Sequence, residues 1–226
     1  DYLPSDSCTI SITLKELQEK LQLQMLYTKV SAHTAGADKN APKLAVVFPG
    51  IGYTADKPLL YYTSRLASKH GYKIRTVSYG TLPENVKGDP EKMTQAFHIA
   101  LDRAGKQLEG AGIRKYQDIL FISKSIGTMV AAACAETYQI RGGNVFFTPV
   151  NETFSCISQK GCGIVFHGTK DNWARTDLVS EKCEALKLPL YLTKEGNHSL
   201  ETGDVMRDVQ NLAVIMEQVK DYISKR

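Results

Sequence analysis

The sequence lacks any apolar run long enough to span a bilayer, which takes about 20 residues in a helix. Its longest apolar stretches, such as Ile119–Ile122 and Gly163–Phe166, have the length of single strands. The chain also opens without the basic and then apolar pattern of a signal peptide. We therefore expect no membrane span and a cytoplasmic protein. Because Asp1 rather than Met stands first, an exported form that has lost an upstream segment is the alternative.

Cysteine is present five times, but in no pattern typical of a metal site or a disulfide framework. No C-x-x-C pair occurs, and no Cys/His cluster has the spacing of a zinc site. We predict reduced cysteines and no bound metal. A bridge between Cys156 and Cys162 is the alternative for an exported form.

Clustered positive charge is absent too. The 28 Lys and Arg residues and 24 Asp and Glu residues give a net charge of +4, and no basic block is interleaved with aromatic residues. Nucleic acid is therefore not an expected partner. The remaining composition is ordinary for one globular domain, with 42% hydrophobic and 23% charged residues.

The order of the predicted elements is the strongest fold signal in the chain. From Lys43 onward, apolar β-rich segments alternate with segments of helical spacing. The six predicted strands are KLAVVFPG, KIRTVSYG, DILFIS, GNVFFTPV, GIVFHG and LPLYLTK. Each is apolar on both faces, which predicts an α/β fold with a mostly parallel twisted sheet and helices on both faces. Ligands of such sheets bind at the carboxyl ends of the strands.

Residues 1–42 precede this core and carry two conflicting patterns. Thr13 and Glu16 have the spacing of a capping box, and leucines around them share one stripe of a short helix. The alternation in TISITL and LQLQML instead favours antiparallel strands, followed by a loop. Either way we predict a single domain whose core is residues 43–226.

A polar turn, Ser123-Lys124-Ser125, separates the DILFIS strand from the helix that begins at Ile126. An isolated serine at such a junction is most simply a helix N-cap. Two features favour a different role for Ser125. The strand and the helix have almost no loop between them, and Gly127 permits the helix to pass close to the neighbouring strand. This arrangement is that of a nucleophile elbow, a sharp strand–turn–helix that exposes the serine hydroxyl above the sheet.

An activated serine needs a base and a group that orients the base. His198, in the loop TKEGNHSLE after the last predicted strand, is the histidine best placed to be that base. His167 ends the strand GIVFHG, and we interpret it as structural, with the alternative that it lines a site. Asp171 follows the same strand in a turn, where an Asp is often only a turn former or helix cap. The chain order Ser125, Asp171, His198 nevertheless matches that of a known catalytic triad.

The stretch from Lys43 to the C-terminus resembles the α/β-hydrolase superfamily, and within it a small, lid-poor esterase or dienelactone-hydrolase-like form. The resemblance rests on the degenerate Gly-x-Ser-x-Gly pattern Ser123–Gly127, the GTKD turn, the GNH loop and the order of the elements. It implies a sheet of about eight strands, of which the six predicted above are the third to the eighth. The two opening antiparallel strands would then fall in Thr9–Val30.

The resemblance also implies a role for each residue of a catalytic site. Ser125 would be the nucleophile, His198 the base and Asp171 the acid that orients the base. An oxyanion hole needs two aimed donors. The backbone N–H groups of Ile126 and Ile51 would supply them.

Walls of a substrate pocket are expected at the same strand ends. Gly50 and Gly52, in the loop FPGIGYT, would let the backbone approach a substrate. Four aromatic residues lie in or near such loops, and two or three of them could simply pack: Tyr53, Tyr79, Phe154 and Trp173. Lys124, beside the nucleophile, predicts a preference for acidic or polar acyl substrates.

Together these residues predict a serine hydrolase that cleaves a small ester, thioester or amide through an acyl-enzyme, with a carboxylic ester first among them. No cofactor is implied, the partner is a small-molecule acyl substrate, and the oligomeric state is left open. The connection between the strands GNVFFTPV and GIVFHG is too short for a lid, which predicts an open site. An acyltransferase on the same triad and a catalytically silent binding module are the alternatives.

Overall fold

A computed structural model of the chain describes residues 42–84, 86 and 89–226. The strands or helix expected before position 42 lie outside these residues. The six strands predicted from Lys43 onward are all present. They are β1 (Lys43–Phe48), β2 (Tyr72–Thr76), β3 (Asp118–Lys124), β4 (Gly143–Phe147), β5 (Gly163–Gly168) and β6 (Leu190–Thr193).

These strands form one parallel sheet in the order β2-β1-β3-β4-β5-β6. The register places Phe48 of β1 opposite Ser123 of β3, and Lys124 of β3 opposite Phe147 of β4. The carboxyl ends of the central strands therefore lie side by side. The predicted α/β class is confirmed. The described residues hold six strands rather than about eight, because the other two were expected in Thr9–Val30.

Helices connect the strands and cover both faces of the sheet. In the described part of the chain they are α1 (Pro58–Lys69), α2 (Pro90–Gly110), α3 (Ile126–Thr137), α4 (Thr176–Ala185) and α5 (Val205–Ser224). Short 3-10 helices occupy Ile113–Lys115 and Asn151–Cys156.

Local sequence explains several helix ends. Asp89 accepts a hydrogen bond from the Lys92 N–H at the start of α2, and Asp204 accepts one from the Arg207 N–H at the start of α5. Gly71 follows α1 with a φ of 85°, a conformation that ends a helix at little cost only in glycine.

The core has two main layers because alternate residues of each strand point to opposite faces of the sheet. On one face, Phe121 of β3 packs in a cluster with residues of α2 and α3 such as Phe97 and Val130. On the other face, Ile122 packs in a cluster that includes Leu60 of α1 and Val219 of α5. The sheet is thus covered on both sides, as predicted.

Two further expectations concern membranes and cysteines. None of the helices in the described ranges combines the length and the apolarity that a membrane crossing needs. Cys134, Cys156, Cys162 and Cys183 are free thiols. The alternative bridge between Cys156 and Cys162 is not formed in this structure.

Candidate active site

Ser125 lies at the junction of β3 and α3, in a backbone conformation that is rare for a residue other than glycine, with φ 57° and ψ −129°. Its N–H donates to the Phe147 carbonyl of β4 at 3.1 Å, which ties the turn to the sheet. Although Ser125 occupies the N-cap position of α3, its hydroxyl makes no capping bond. The hydroxyl lies instead 2.8 Å from His198 Nε2. The simplest interpretation of this serine, as a helix cap, is wrong.

Two glycines let the backbone close around Ser125. A Cβ on Gly127 would lie 2.3 Å from the Phe48 carbonyl oxygen and 2.5 Å from that of Pro49. A Cβ on Gly50 would lie 3.1 Å from Ser125 Cβ. The start of α3 therefore passes directly over the end of β1, and the loop after β1 packs against the serine.

The loop after β6 brings His198 to the serine. Its Nε2 is 2.8 Å from Ser125 Oγ, and its Nδ1 is 3.0 and 2.8 Å from the two carboxylate oxygens of Asp171. Thr148 Oγ1 donates to the His198 carbonyl at 3.0 Å, and the imidazole stacks on Trp173 with ring centroids 5.2 Å apart. A proton on Nδ1, donated to Asp171, makes Nε2 the acceptor for the serine hydroxyl.

Asp171 supplies the carboxylate that His198 contacts, and its side chain is fully buried. It accepts the Trp173 N–H at 2.8 Å in addition to the bond from His198. Burial by itself would raise the pKa of Asp171, but the bond and charge of His198, the Trp173 N–H and nearby His167 hold that pKa below its ordinary value. The carboxyl group is therefore ionised at neutral pH.

His167, which the sequence led us to interpret as structural, lies directly behind the acid. Its Nδ1 is 3.7 Å from Asp171 Oδ2, and its Nε2 is 3.1 Å from Thr176 Oγ1. Burial lowers the pKa of His167, while the charge of Asp171 opposes that shift. The sequence held one signal for this contact, since His167 precedes Asp171 by four residues at the end of the same strand.

Two backbone segments that contain the expected oxyanion donors adjoin the serine. Ile126 begins α3, where the first N–H groups have no partner within the helix. Gly50 and Tyr53 exchange backbone hydrogen bonds of 3.1 and 3.3 Å, which close a tight turn around Ile51. Gly50 packs against Ser125. Both expected oxyanion donors therefore belong to segments that adjoin the hydroxyl.

The aromatic residues expected in the pocket occupy different places. Trp173 lies against His198. Phe154 is buried in a cluster with Phe146 and Val165, which corrects the expectation that it lines the pocket. Tyr79 is buried in the core, where its hydroxyl has no hydrogen-bond partner among the described residues, but it also contributes to the lining of a groove beside the Gly50–Tyr53 turn.

The position of the Lys124 side chain differs most from the one expected. Its side chain is buried, with the residue only 1% exposed, and its Nζ lies 5.0 Å from the centroid of the Tyr53 ring. Burial lowers the pKa of Lys124 to about 7, although Asp171 and Glu201 raise it. A cation beneath Tyr53 does not face a substrate, so the expected preference for acidic acyl groups loses its basis.

Two cavities border the site. One of 110 Å³ has a mainly apolar lining that includes Met93, Phe97, Ile126, Met129, Val150 and Trp173. The other is an open groove of 790 Å³ along the Gly50–Tyr53 turn, Tyr79 and the segment after β2. Because Ile126 follows the serine and Trp173 stacks on the histidine, the small cavity lies next to the hydrogen-bonded series.

Elsewhere, a cavity of 570 Å³ lies at the amino ends of β4 and β5, where Asn144 and Cys162 line it. It is remote from the carboxyl ends that carry Ser125. Within the described ranges, no group of three or more His, Cys, Asp or Glu side chains is arranged to hold a metal ion.

Comparison with known sequence families gives no match, and neither does comparison with curated proteins. Solved structures, by contrast, are similar over most of the chain. A protein from Xanthomonas campestris named as a candidate hydrolase of the α/β superfamily has a TM-score of 0.62 at 12% identity, over 81% of this chain and 99% of that one.

Two further structures carry more specific names. A member of the α/β serine hydrolases without a lid, also from Xanthomonas campestris, has a TM-score of 0.56 at 14% identity, over 80% of this chain and 83% of that one. An esterase from Pyrococcus furiosus has a TM-score of 0.56 at 16% identity, over 83% and 85% of the two chains. At such identities these likenesses establish a shared fold only.

Proposed function

We propose that this chain, which has the α/β-hydrolase fold, is a serine hydrolase that cleaves a small carboxylic ester through an acyl-enzyme. One observation carries the proposal. Hydrogen bonds of 2.8 Å join Ser125 Oγ to His198 Nε2 and His198 Nδ1 to Asp171 Oδ2 in series. A nucleophile, a base and an ionised acid in this order are what acyl transfer to a serine requires. A thioester or an amide would react at the same groups.

The reaction follows from this geometry. Ser125 Oγ attacks the carbonyl carbon of the ester while His198 Nε2 takes the hydroxyl proton. Asp171 stays ionised and stabilises the imidazolium. The tetrahedral intermediate collapses when His198 returns the proton to the leaving alcohol, which leaves the acyl group on Ser125. Water, with His198 again as base, then releases the carboxylic acid and restores the hydroxyl.

The negative charge that develops on the carbonyl oxygen needs donors that are already in place. The N–H of Ile126, at the start of α3, is one proposed donor, and the N–H of Ile51 in the Gly50–Tyr53 turn is the other. Loss of one such donor commonly raises the barrier by about 3 kcal/mol. The close packing of Gly50 on Ser125 supports this assignment because it brings the turn to the reacting atoms.

The small cavity supports a short apolar acyl group. At 110 Å³ it is somewhat smaller than an engineered apolar cavity of about 150 Å³ that holds benzene. Its lining comes mainly from Ile126, Met129, Trp173 and neighbouring apolar side chains. The wider groove along the Gly50–Tyr53 turn has room for the leaving group. The named esterase and lidless serine hydrolase of similar fold accord with an ester substrate.

Exposure of the base favours hydrolysis over acyl transfer to another acceptor. The His198 side chain is 20% exposed, so water reaches the group that must activate it. An acyltransferase has to exclude water from its acyl-enzyme. A catalytically silent binding module, in turn, has no need of three side chains hydrogen-bonded in catalytic order.

Labelling with a fluorophosphonate probe tests the proposal. We expect Ser125→Ala to abolish labelling and to reduce the hydrolysis of p-nitrophenyl acetate by at least about a thousandfold. Ser123→Ala is the matched control, since Ser123 lies two residues away and is fully buried, with its hydroxyl donating to the Val145 carbonyl. This variant should label like the wild type. Labelling that persists in Ser125→Ala would reject the proposed nucleophile.

A further inference from the structure

A buried lysine stands directly beside the proposed nucleophile. Lys124 is the last residue of β3 and is 1% exposed, although lysine is rarely buried without a partner. Leu120 and Ile122 of the same strand face the α1 and α5 layer, and the alternation of a strand places Lys124 on that face as well. The ammonium group therefore lies beneath the site, on the side away from the small apolar cavity.

An aromatic ring lies close to this cation. Lys124 Nζ lies 5.0 Å from the centroid of Tyr53. No carboxylate of the described residues lies within 4 Å of it, but the charges of Asp171 and Glu201 favour the ammonium form, and that of Lys57 disfavours it. A desolvated ammonium on an aromatic face is held more strongly than an exposed one.

Tyr53 connects this cation to the proposed oxyanion hole. Its backbone closes the turn with Gly50 around Ile51, and its ring is buried. Its hydroxyl accepts the Leu59 N–H of α1 at 3.2 Å. The ring is thus fixed at one end by α1 and on one face by Lys124. Any loss of the contact with Lys124 would loosen the turn that carries the Ile51 N–H.

We propose that protonated Lys124 is a positioning residue, which holds the Gly50–Tyr53 turn against the Ser125 elbow through the face of the Tyr53 ring. This inference rests on the proposed function, because the turn matters to activity only if the Ile51 N–H stabilises an oxyanion. Lys124 does not touch the substrate. It acts through the position of a donor in the transition state, and so it affects kcat more than KM.

The ionisation of His198 and that of Lys124 together predict how the rate depends on pH. Activity rises with pH as His198 loses its proton, because only the neutral imidazole can take the proton of the serine hydroxyl. Burial lowers the pKa of Lys124 to about 7, so its ammonium form is lost as pH rises through that value. The rate should therefore fall on the alkaline side as Lys124 loses its proton.

Lys124→Met tests this, because it replaces the ammonium by a neutral side chain of similar length. At pH 6.5 to 7 we expect kcat for p-nitrophenyl acetate to fall about tenfold, with KM changed by less than about twofold, and the alkaline decline to disappear. The variant should unfold at a temperature no lower than the wild type, since the change removes a cation that burial disfavours. Lys124→Arg, which stays charged at every pH, should lose the alkaline decline.

Lys57→Met is the matched control. Lys57 Nζ also lies over the Tyr53 ring, at 5.5 Å from its centroid, but Lys57 is exposed. An exposed ammonium contributes little through such a contact. This variant should retain kcat and show an alkaline decline that is shifted to higher pH, because the charge of Lys57 no longer opposes the ammonium form of Lys124. Tyr53→Leu, which removes the ring, should behave like Lys124→Met.

The combined variant tests whether the two residues act through one contact. If they do, Lys124→Met with Tyr53→Leu lowers kcat no further than either change alone. An unchanged kcat and alkaline decline in Lys124→Met would overturn the inference. Should Lys124→Met fail to fold, the same result in Tyr53→Leu would do so. Fluorophosphonate labelling of Ser125→Ala would reject the proposed function instead, whatever the Lys124 variants show.

Discussion

Ser125 shows how a single residue can be held in a conformation that it does not favour. A positive φ in a residue other than glycine costs about 1 to 3 kcal/mol and persists only where the surroundings impose it. Here the Phe147 carbonyl holds the Ser125 N–H, and Thr128 Oγ1 donates to the Ser125 carbonyl at 2.6 Å. Gly127 lets α3 approach β1 closely enough to keep the turn tight. The strain therefore places the hydroxyl next to His198 instead of on the helix end.

At this scale the sharpest prediction concerns Gly127. An added methyl group would overlap the Phe48 and Pro49 carbonyl oxygens, so we expect Gly127→Ala to lower the free energy of unfolding by about 3 kcal/mol and to slow fluorophosphonate labelling. Gly110→Ala is the control. A Cβ there meets nothing within 4 Å, and Gly110 also lies in a helix, α2. Urea denaturation of both variants measures the difference, and equal stability of the two would contradict the close contact.

The sequence predicted the positions of some of these side chains correctly and those of others wrongly, and the difference has a physical reason. Ser125, Asp171 and His198 each follow a strand, and parallel strands bring their carboxyl ends together, so their proximity was predictable. Their catalytic roles remain predictions. Alternation along β3 sets the face to which Lys124 points, but whether the side chain is covered there depends, as it does for Phe154, on how neighbouring elements pack over the strand end. No local pattern carries that information, and both were wrongly expected to face a substrate.

Among the elements, α5 is fastened at its end by a charged cluster. Arg226, just beyond α5, donates to Asp118 at 2.8 Å, and Lys43 Nζ lies 3.4 Å from the same carboxylate. Tyr72 also donates to it. Burial by itself would raise the pKa of Asp118, but Tyr72, Arg226 and Lys43 hold that pKa below its ordinary value. The cluster thus joins the last helix to the amino ends of β1, β2 and β3.

Arg226→Met should therefore destabilise the fold by about 1 to 3 kcal/mol, because it removes a charge-assisted bond to a partly buried carboxylate. Lys220→Met is the matched control, since Lys220 on α5 pairs with Glu217 at 3.2 Å in an exposed position. Exposed ion pairs contribute little to the stability of a fold. Denaturation at neutral pH measures the free energy of unfolding of both variants. The lowered pKa of Asp118 means that its contribution is present above about pH 4 and is lost at lower pH, so the two variants should converge in acid.

The elements themselves were largely predictable, whereas their order in the sheet was not. Apolar runs mark the strands, Asp89 marks the start of a helix and Gly71 marks the end of another. These signals could be used because buried strands and helix caps are recognisable from the local sequence. The position of β2 outside β1 depends on which way the connection through α1 crosses the sheet. No local pattern in the chain specifies that choice.

For the molecule as a whole, the short connection between β4 and β5 decides how open the site is. This connection contains only the 3-10 helix Asn151–Cys156, and no inserted domain interrupts the described residues after Lys43. The named lidless serine hydrolase has the same fold. An open site with a small apolar cavity should act on dissolved short esters and gain nothing from a lipid surface.

Esters of increasing chain length test this expectation. We expect kcat/KM for p-nitrophenyl esters to be highest between acetate and butyrate and to fall for decanoate, because further methylene groups find no room in a cavity of 110 Å³. Each buried methylene would otherwise contribute about 0.8 kcal/mol. Met129→Ala, which enlarges the cavity, should shift the optimum to longer chains. A steady rise with chain length, or a jump in rate at the solubility limit, would contradict an open, lidless site.

Trp173 is the one tryptophan in the sequence, and it stacks on the imidazole of His198. Light absorbed selectively by indole is therefore re-emitted from a ring in contact with the proposed base. Protonation of that imidazole, or arrival of an acyl group beside it, would change the emission of the entire protein. Emission from Trp173 can therefore be used in stopped flow to test for protonation and acylation at the proposed site, without any attached dye.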